Sequence, residues 1–341
     1  MNPWTAGGKY RVENRMNNMT KIIKEGGADL VLVVEGHVTL SAAPDIQAWA
    51  RIENCEAVVA PTSTTAAAAL DEHGETGARD PAAGIVAVMS QELNERLRGK
   101  PERSISGRLL HLTFGDGPSP EADKRKIHVI ACYGLSGATK KNGARADMAR
   151  SLAAELTEIL AREEYSDDNF MVYADINTVR NSADRASGAT LTYDSADHAL
   201  WRVLNDTQFG LKDAMMEAYD QMAPMTYVPG GIETSRIDVL YVSAALLPGI
   251  EAATAEVAGA LSKTHLPLGC SFNDQRMKGT AQEKSTEPAR RGAVAVMSKG
   301  GGRRWRLNER TTDFYRDEAF GNTDIIAKLA EADEAQTALT E

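Results

Sequence analysis

Long apolar runs are lacking in this 341-residue chain. Nothing in it approaches the roughly 18 consecutive apolar residues that a membrane-spanning helix needs. The opening Met1-Asn2-Pro3-Trp4-Thr5-Ala6-Gly7-Gly8 has neither the basic flank nor the apolar stretch of a signal peptide. Together these absences predict an intracellular protein with no membrane partner. Cysteine is scarce as well. Cys55, Cys132 and Cys270 are far apart and form no C-x-x-C spacing, which argues against a disulfide framework and against structural zinc. Cys132 and Cys270 sit among apolar neighbours and read as small core residues. Positive charge is in deficit too, with a formal net charge of −10. That disfavours general affinity for nucleic acid, because phosphate binding rests on Lys and Arg.

What is present is the composition of an ordinary globular protein, 43% hydrophobic and 25% charged. The length suits one large domain with an appendage, or two domains. Charge is distributed unevenly. From Arg290 to Arg310 the chain carries Arg290, Arg291, Lys299, Arg303, Arg304, Arg306 and Arg310 against the single acid Glu309. Such a run is either a solvated linker or a local arm able to touch a phosphate backbone.

Periodicity predicts a helix over Arg15 to Lys24, with Met16, Met19, Ile22 and Ile23 on one side, closed by Gly26-Gly27. Leu30 to Val34 is an all-apolar strand, the pattern of a strand covered on both faces. Shorter strands are expected over Ala57 to Ala60 and Ile85 to Met89. Arg108 to Phe114 and Ile127 to Tyr133, joined by a turn-rich segment, predict a hairpin in which His111 and His128 are sheet residues rather than ligands. An amphipathic helix runs from about Arg145 to Arg162, and a second over Ala196 to Leu204 carries Trp201 as a packing residue. Further strands fall at Ile237 to Val242 and Leu266 to Phe272. Beyond them lie a polar and basic linker over 273–316, with a short apolar patch from Gly292 to Met297, and a terminal helix from about Asp317 to Ala335 within a tail over 317–341. Strands alternating with helices, mixed with hairpins, indicate an α/β or α+β core.

Several of these apolar strands end in, or carry, an isolated polar residue: Glu35, Tyr133, Asp175 with Asn177, Asp238, and His265 just before Leu266. Asp and Asn two residues apart share a face if the backbone stays extended, yet both are also common turn-formers and helix caps. Asp238 is equally open to a buried ion pair with Arg236. Tyr133 suits sheet packing as well as a site. The recurrence is more informative than any member, since acid, amide, phenol and imidazole at strand ends are what metal-assisted phosphodiester hydrolysis requires.

In order, Val34-Glu35, Ala174-Asp175-Ile176-Asn177, Ser235-Arg236-Ile237-Asp238 and Lys263-Thr264-His265-Leu266-Pro267 resemble four motifs of the endonuclease/exonuclease/phosphatase superfamily. The resemblance spans Asn2 to about Phe272 and is nearest to the endonuclease domain of LINE-type (non-LTR) retrotransposons. It implies a domain over 1–272 built as a four-layer sandwich, two packed mixed β-sheets flanked by helices, whose first strand would precede Asn2 and is missing from this chain. It implies a divalent-metal-dependent phosphodiesterase that nicks DNA by water attack, with Mg²⁺ or Mn²⁺ as cofactor, and a nuclear location for a retroelement enzyme. Glu35, and with it Asn2, would hold the metal. Asp175 and Asn177 would activate the water and contact the phosphate, with Arg236 as a further substrate contact. His265 would sit at the phosphate, oriented by Asp238, with Tyr133 nearby. Two positions depart from the pattern: Ala174 replaces a glycine, and Thr264 replaces the aspartate before the histidine. These departures motivate an alternative, a catalytically impaired remnant with at most weak nucleic-acid binding. A family member acting on small phosphoesters or lipids is a third reading.

Overall fold

The computed structural model describes residues 9–24, 27–36, 38–61, 83–115, 125–135, 143–186, 198–219, 223–229, 232, 234–255, 265, 268–272 and 292–297. Asn2, Thr264, the basic run beyond Met297 and the helix expected over 317–335 lie outside the described residues.

Two six-stranded sheets form the body. In the first, the order is β10 (Ile250–Ala255), β11 (Leu268–Phe272), β12 (Gly292–Met297), β1 (Leu30–Val33), β3 (Ile85–Ser90) and β2 (Cys55–Ala60). In the second, it is β4 (Leu97–Arg103), β5 (Leu109–Phe114), β6 (Ile127–Tyr133), β7 (Asn169–Asp175), β9 (Asp238–Ser243) and β8 (Leu211–Asp213). Each sheet mixes one parallel pair, β1 with β12 and β6 with β7, with otherwise antiparallel neighbours.

Period-two alternation assigns the faces. Leu30, Leu32, Ala87 and Met89 from the first sheet meet Leu110, Leu112, Val129, Tyr173 and Leu240 from the second in one inter-sheet core. The alternate residues face outward under helices. Val31, Val59, Val86 and Val88 are covered by Met16 and Met19 of α1 (Lys9–Lys24) and by Ile46 and Ala50 of α2 (Ala43–Ile52). Ile130, Cys132, Val172 and Val239 are covered by Leu152, Leu156 and Ile159 of α3 (Gly143–Leu160) and by Leu200 and Trp201 of α4 (Ala199–Leu204). The architecture is thus the α/β sandwich of two helix-flanked sheets. β1 is covered on both faces, as its unbroken apolar run implies. Trp201 packs in the outer core and donates its indole N–H to the Thr178 carbonyl. Cys55, Cys132 and Cys270 are free and buried. Among the described residues no helix is long and apolar enough to cross a membrane.

One element departs from expectation. Gly292 to Met297, placed by its sequence context in a linker, is β12, hydrogen-bonded between β1 and β11. A strand with neighbours on both sides is interior to the sheet, so the compact body extends past Phe272, and its boundary falls near Arg303. Flanking glycines and basic residues conceal the strand in the sequence. Its pairing with β1 joins residues more than 250 positions apart, and no local pattern reports such a partner.

Candidate active site

Sheet register builds the site. Tyr133 at the end of β6 lies opposite Asp175 at the end of β7, and Asp175 lies opposite Asp238 at the start of β9. All three therefore share one row and one face, the face turned toward the first sheet. Two carboxylates directly opposite on neighbouring strands repel each other. His265 relieves this. Its Nδ1 lies 2.9 Å from Asp238 Oδ2 and 4.0 Å from Asp175 Oδ2. The histidine backbone is held by a bridge to Tyr227, whose ring packs edge-on against the imidazole with centroids 5.1 Å apart. Thr226 Oγ1 accepts from the Ile237 and Asp238 amides, which fixes the entry into β9 beneath the pair.

Burial and charge act together here. Asp175 is 1% exposed and Asp238 4%. Burial drives the Asp175 carboxyl well above the usual range, Asp238 and Glu35 push it further, and His265 and the Asn177 amide oppose them. For His265, burial lowers the imidazole pKa, but Asp238, Asp175 and Glu35 outweigh it and the value rises to about 9. Ligand atoms of Asp175, Asp238 and His265 all lie within 4.8 Å of one another.

Glu35 follows β1 and is half-buried. Its field reaches both Asp175 and His265. Its φ of 55° is in the left-handed region, as is that of Asn177 at 59°. Non-glycine residues seldom adopt it, and such strain concentrates at functional sites. Of the two backbone readings open for Asn177, the structure takes the turn. The strand ends at Asp175, and Asn177 reaches the same place through a turn, its amide donating to Asp175 Oδ1 at 3.0 Å and its Nδ2 to the Gly134 carbonyl at 3.1 Å.

Arg236 is not at the site. Its guanidinium is 1% exposed and ion-paired with Asp213 and Asp184, so it is unavailable to a substrate. The same pairs remove the rival reading of Asp238, whose partner is His265. His111 and His128 form a buried hydrogen-bonded pair within the second sheet, Nε2 to Nδ1 at 2.8 Å. Ala174 is accommodated in the outer core.

A divalent cation fits the donors present. Asp175 Oδ2 is buried without a hydrogen-bond partner, and carboxylate oxygens are the ligands a hard cation prefers. Asp175, Asp238 and His265 are the group whose ligand atoms lie close enough together to share an ion among the described residues, and the Glu35 charge reaches them electrostatically. Two contributors escaped sequence reasoning. Arg108, buried at the head of β5, stacks on the Tyr133 ring, and Gly134 lets the ends of β6 and β7 approach closely. A lone arginine ahead of an apolar run was the only sign of the first.

Comparison with solved structures agrees with this architecture. The chain is similar to the AP endonuclease LMAP from Leishmania major, at 13% identity and TM-score 0.53, with 76% of this chain and 83% of that one covered. It is similar to the Xenopus laevis APE2 catalytic domain, at 12% identity and TM-score 0.54, covering 75% and 87%. It is also similar to an AP endonuclease from Archaeoglobus fulgidus, at 18% identity and TM-score 0.52, covering 77% and 95%. No family model and no curated protein matches the sequence. At such identities the likeness is one of fold.

Proposed function

We propose that the protein is a divalent-metal-dependent phosphodiesterase that nicks DNA, of the kind carried by LINE-type retrotransposons. The observation that carries this reading is the facing pair Asp175 and Asp238 with His265 at 2.9 Å from Asp238, at the strand ends beside Glu35. A bound Mg²⁺ or Mn²⁺ would neutralise charge on the phosphate and help ionise the attacking water. Asp175 and Asn177 orient that water. The protonated imidazole of His265, held by Asp238, donates a hydrogen bond to a phosphate oxygen and so favours the more negative transition state. Water adds to phosphorus, giving its proton to the Asp175 carboxylate, as the bond to the leaving oxygen breaks in line and that oxygen takes a proton from solvent.

The test is nicking of supercoiled plasmid with Mg²⁺ or Mn²⁺, abolished by chelator and by Asp175→Ala or His265→Ala. Cleavage that persists in excess chelator, or none with either metal, rejects this reading. For an enzyme of this kind we infer an intracellular, nuclear location, where its DNA would be.

A second reading, an impaired remnant of such a domain, is favoured by Thr264, a neutral hydroxyl where the resembled motif has an acid. Thr264→Asp separates the two. A gain of activity marks a weakened enzyme; an inert variant supports the remnant.

A further inference from the structure

We infer that Arg108 is a positioning residue for this site, acting on Asn177 through the Gly134 carbonyl and on Tyr133 through its ring. Arg108 is 2% exposed, and its Nη1 donates to the Tyr133 carbonyl at 3.0 Å and to the Gly134 carbonyl at 2.8 Å. The Gly134 oxygen also accepts from Asn177 Nδ2. A carbonyl oxygen has two lone pairs, and here both are taken, one by the guanidinium and one by the asparagine amide. The Arg108 guanidinium carbon also lies 4.6 Å from the centre of the Tyr133 ring. One planar cation therefore fixes a ring and a carbonyl at consecutive residues of the site.

The surroundings make this a rigid linkage. The Tyr133 amide donates back to the Arg108 carbonyl, and Ser104 Oγ accepts from the Arg108 and Leu109 amides, which locks the head of β5. The Gly134 amide donates to the Asp175 carbonyl. A Cβ at Gly134 would stand 2.4 Å from the Ile176 oxygen, so the ends of β6 and β7 have no slack to absorb a displaced carbonyl. Displacement of Gly134 would pass directly to Asn177, whose left-handed backbone already sits away from the preferred basins. A hydrocarbon side chain at position 108 would remove a charge-assisted donor from two buried carbonyls. Lysine would restore the charge but offers neither the planar fork nor the stacking face.

The kinetic part of the test rests on the proposed function; the spectroscopic part does not. In the full chain, Arg108→Ala should lower kcat for nicking by about 10- to 100-fold, the scale of a small misplacement of catalytic groups, with KM changed far less. Mn²⁺ affinity, measured with the metal alone, should stay unchanged. Added guanidinium ion should restore activity to Arg108→Ala, and Arg108→Lys should recover only part of it. Wild-type kcat in Arg108→Ala, a loss that guanidinium does not reverse, or a loss that tracks Mn²⁺ affinity overturns the inference. If Arg108→Ala fails to fold, the wild-type chain decides by NMR. Asn177 Nδ2 protons protected from exchange support the linkage, and exchange at the rate of a free amide overturns it. A wild-type chain that never nicks DNA would reject the proposed function and leave this NMR result standing by itself.

Discussion

Asp175 and Asp238 face each other across β7 and β9, and His265 Nδ1 lies 2.9 Å from the second and 4.0 Å from the first. Register forces the two acids together, so their repulsion belongs to the fold. Asp175→Asn removes the ionisable group whose charged form burial and Asp238 disfavour, while keeping the side chain's shape and its oxygen for the Asn177 amide. The variant should be more stable than the parent by about 1 kcal/mol in chelator, as expected where a site is built at the expense of stability. Nicking should be lost at the same time. Urea unfolding and a plasmid assay on one preparation check both; a destabilised Asp175→Asn protein would show that the pair is not under strain.

How the sequence hides or shows these residues follows from where their partners lie. Asp175, Asp238 and His265 are legible because each interrupts an apolar strand, and a polar residue at the end of a buried run needs an explanation within a few positions. Asn177 was legible by position, and as an asparagine it suits the left-handed turn it takes, but nothing in Ile176-Asn177-Thr178 decides between that turn and a continued strand. Arg236 misled because it adjoins Asp238 in sequence, whereas its partners Asp184 and Asp213 are 52 and 23 residues away. β4 escaped because it is an edge strand, where arginines, a lysine and Pro101 discourage further pairing and disguise the alternation.

Arg236→Met separates a structural from a substrate role. Removing the guanidinium leaves Asp184 and Asp213 buried beside an apolar side chain. Stability should fall by about 3–5 kcal/mol, the range for breaking a buried pair from one side. Chemical denaturation measures it. A variant with wild-type stability and a raised KM for DNA would return Arg236 to the substrate.

The buried histidines set a stability limit on the acid side. Burial first, and then the neighbouring His128, push the His111 imidazole down from 6.5 to about 4, against the opposing pull of Glu102. The folded state therefore refuses a proton that the unfolded chain accepts below about 6.5. The sign follows: His111 has no effect on stability above that value, and stability falls as pH drops from there toward 4. Near pH 5 the loss is about 2 kcal/mol from His111 alone. Urea midpoints between about pH 7.5 and pH 5 should show it, and His111→Gln should flatten the slope in that window. An unchanged slope in His111→Gln would assign the acid sensitivity elsewhere.

Ala295→Pro tests whether β12 belongs to the sheet. Ala295 lies opposite Val31 of β1 and Gly269 of β11. Proline there removes a ladder hydrogen bond and sets its ring against a neighbouring strand, a change confined in natural sheets to edges. The expected loss is about 3 kcal/mol or more, read as a lower urea midpoint. The consequence should reach the site, because β12 separates β1, which leads into Glu35, from β11, which follows His265. Mn²⁺ affinity should therefore weaken in whatever fraction remains folded. Proline in a solvated linker would instead be silent in both measurements, and that result would restore the domain boundary to Phe272.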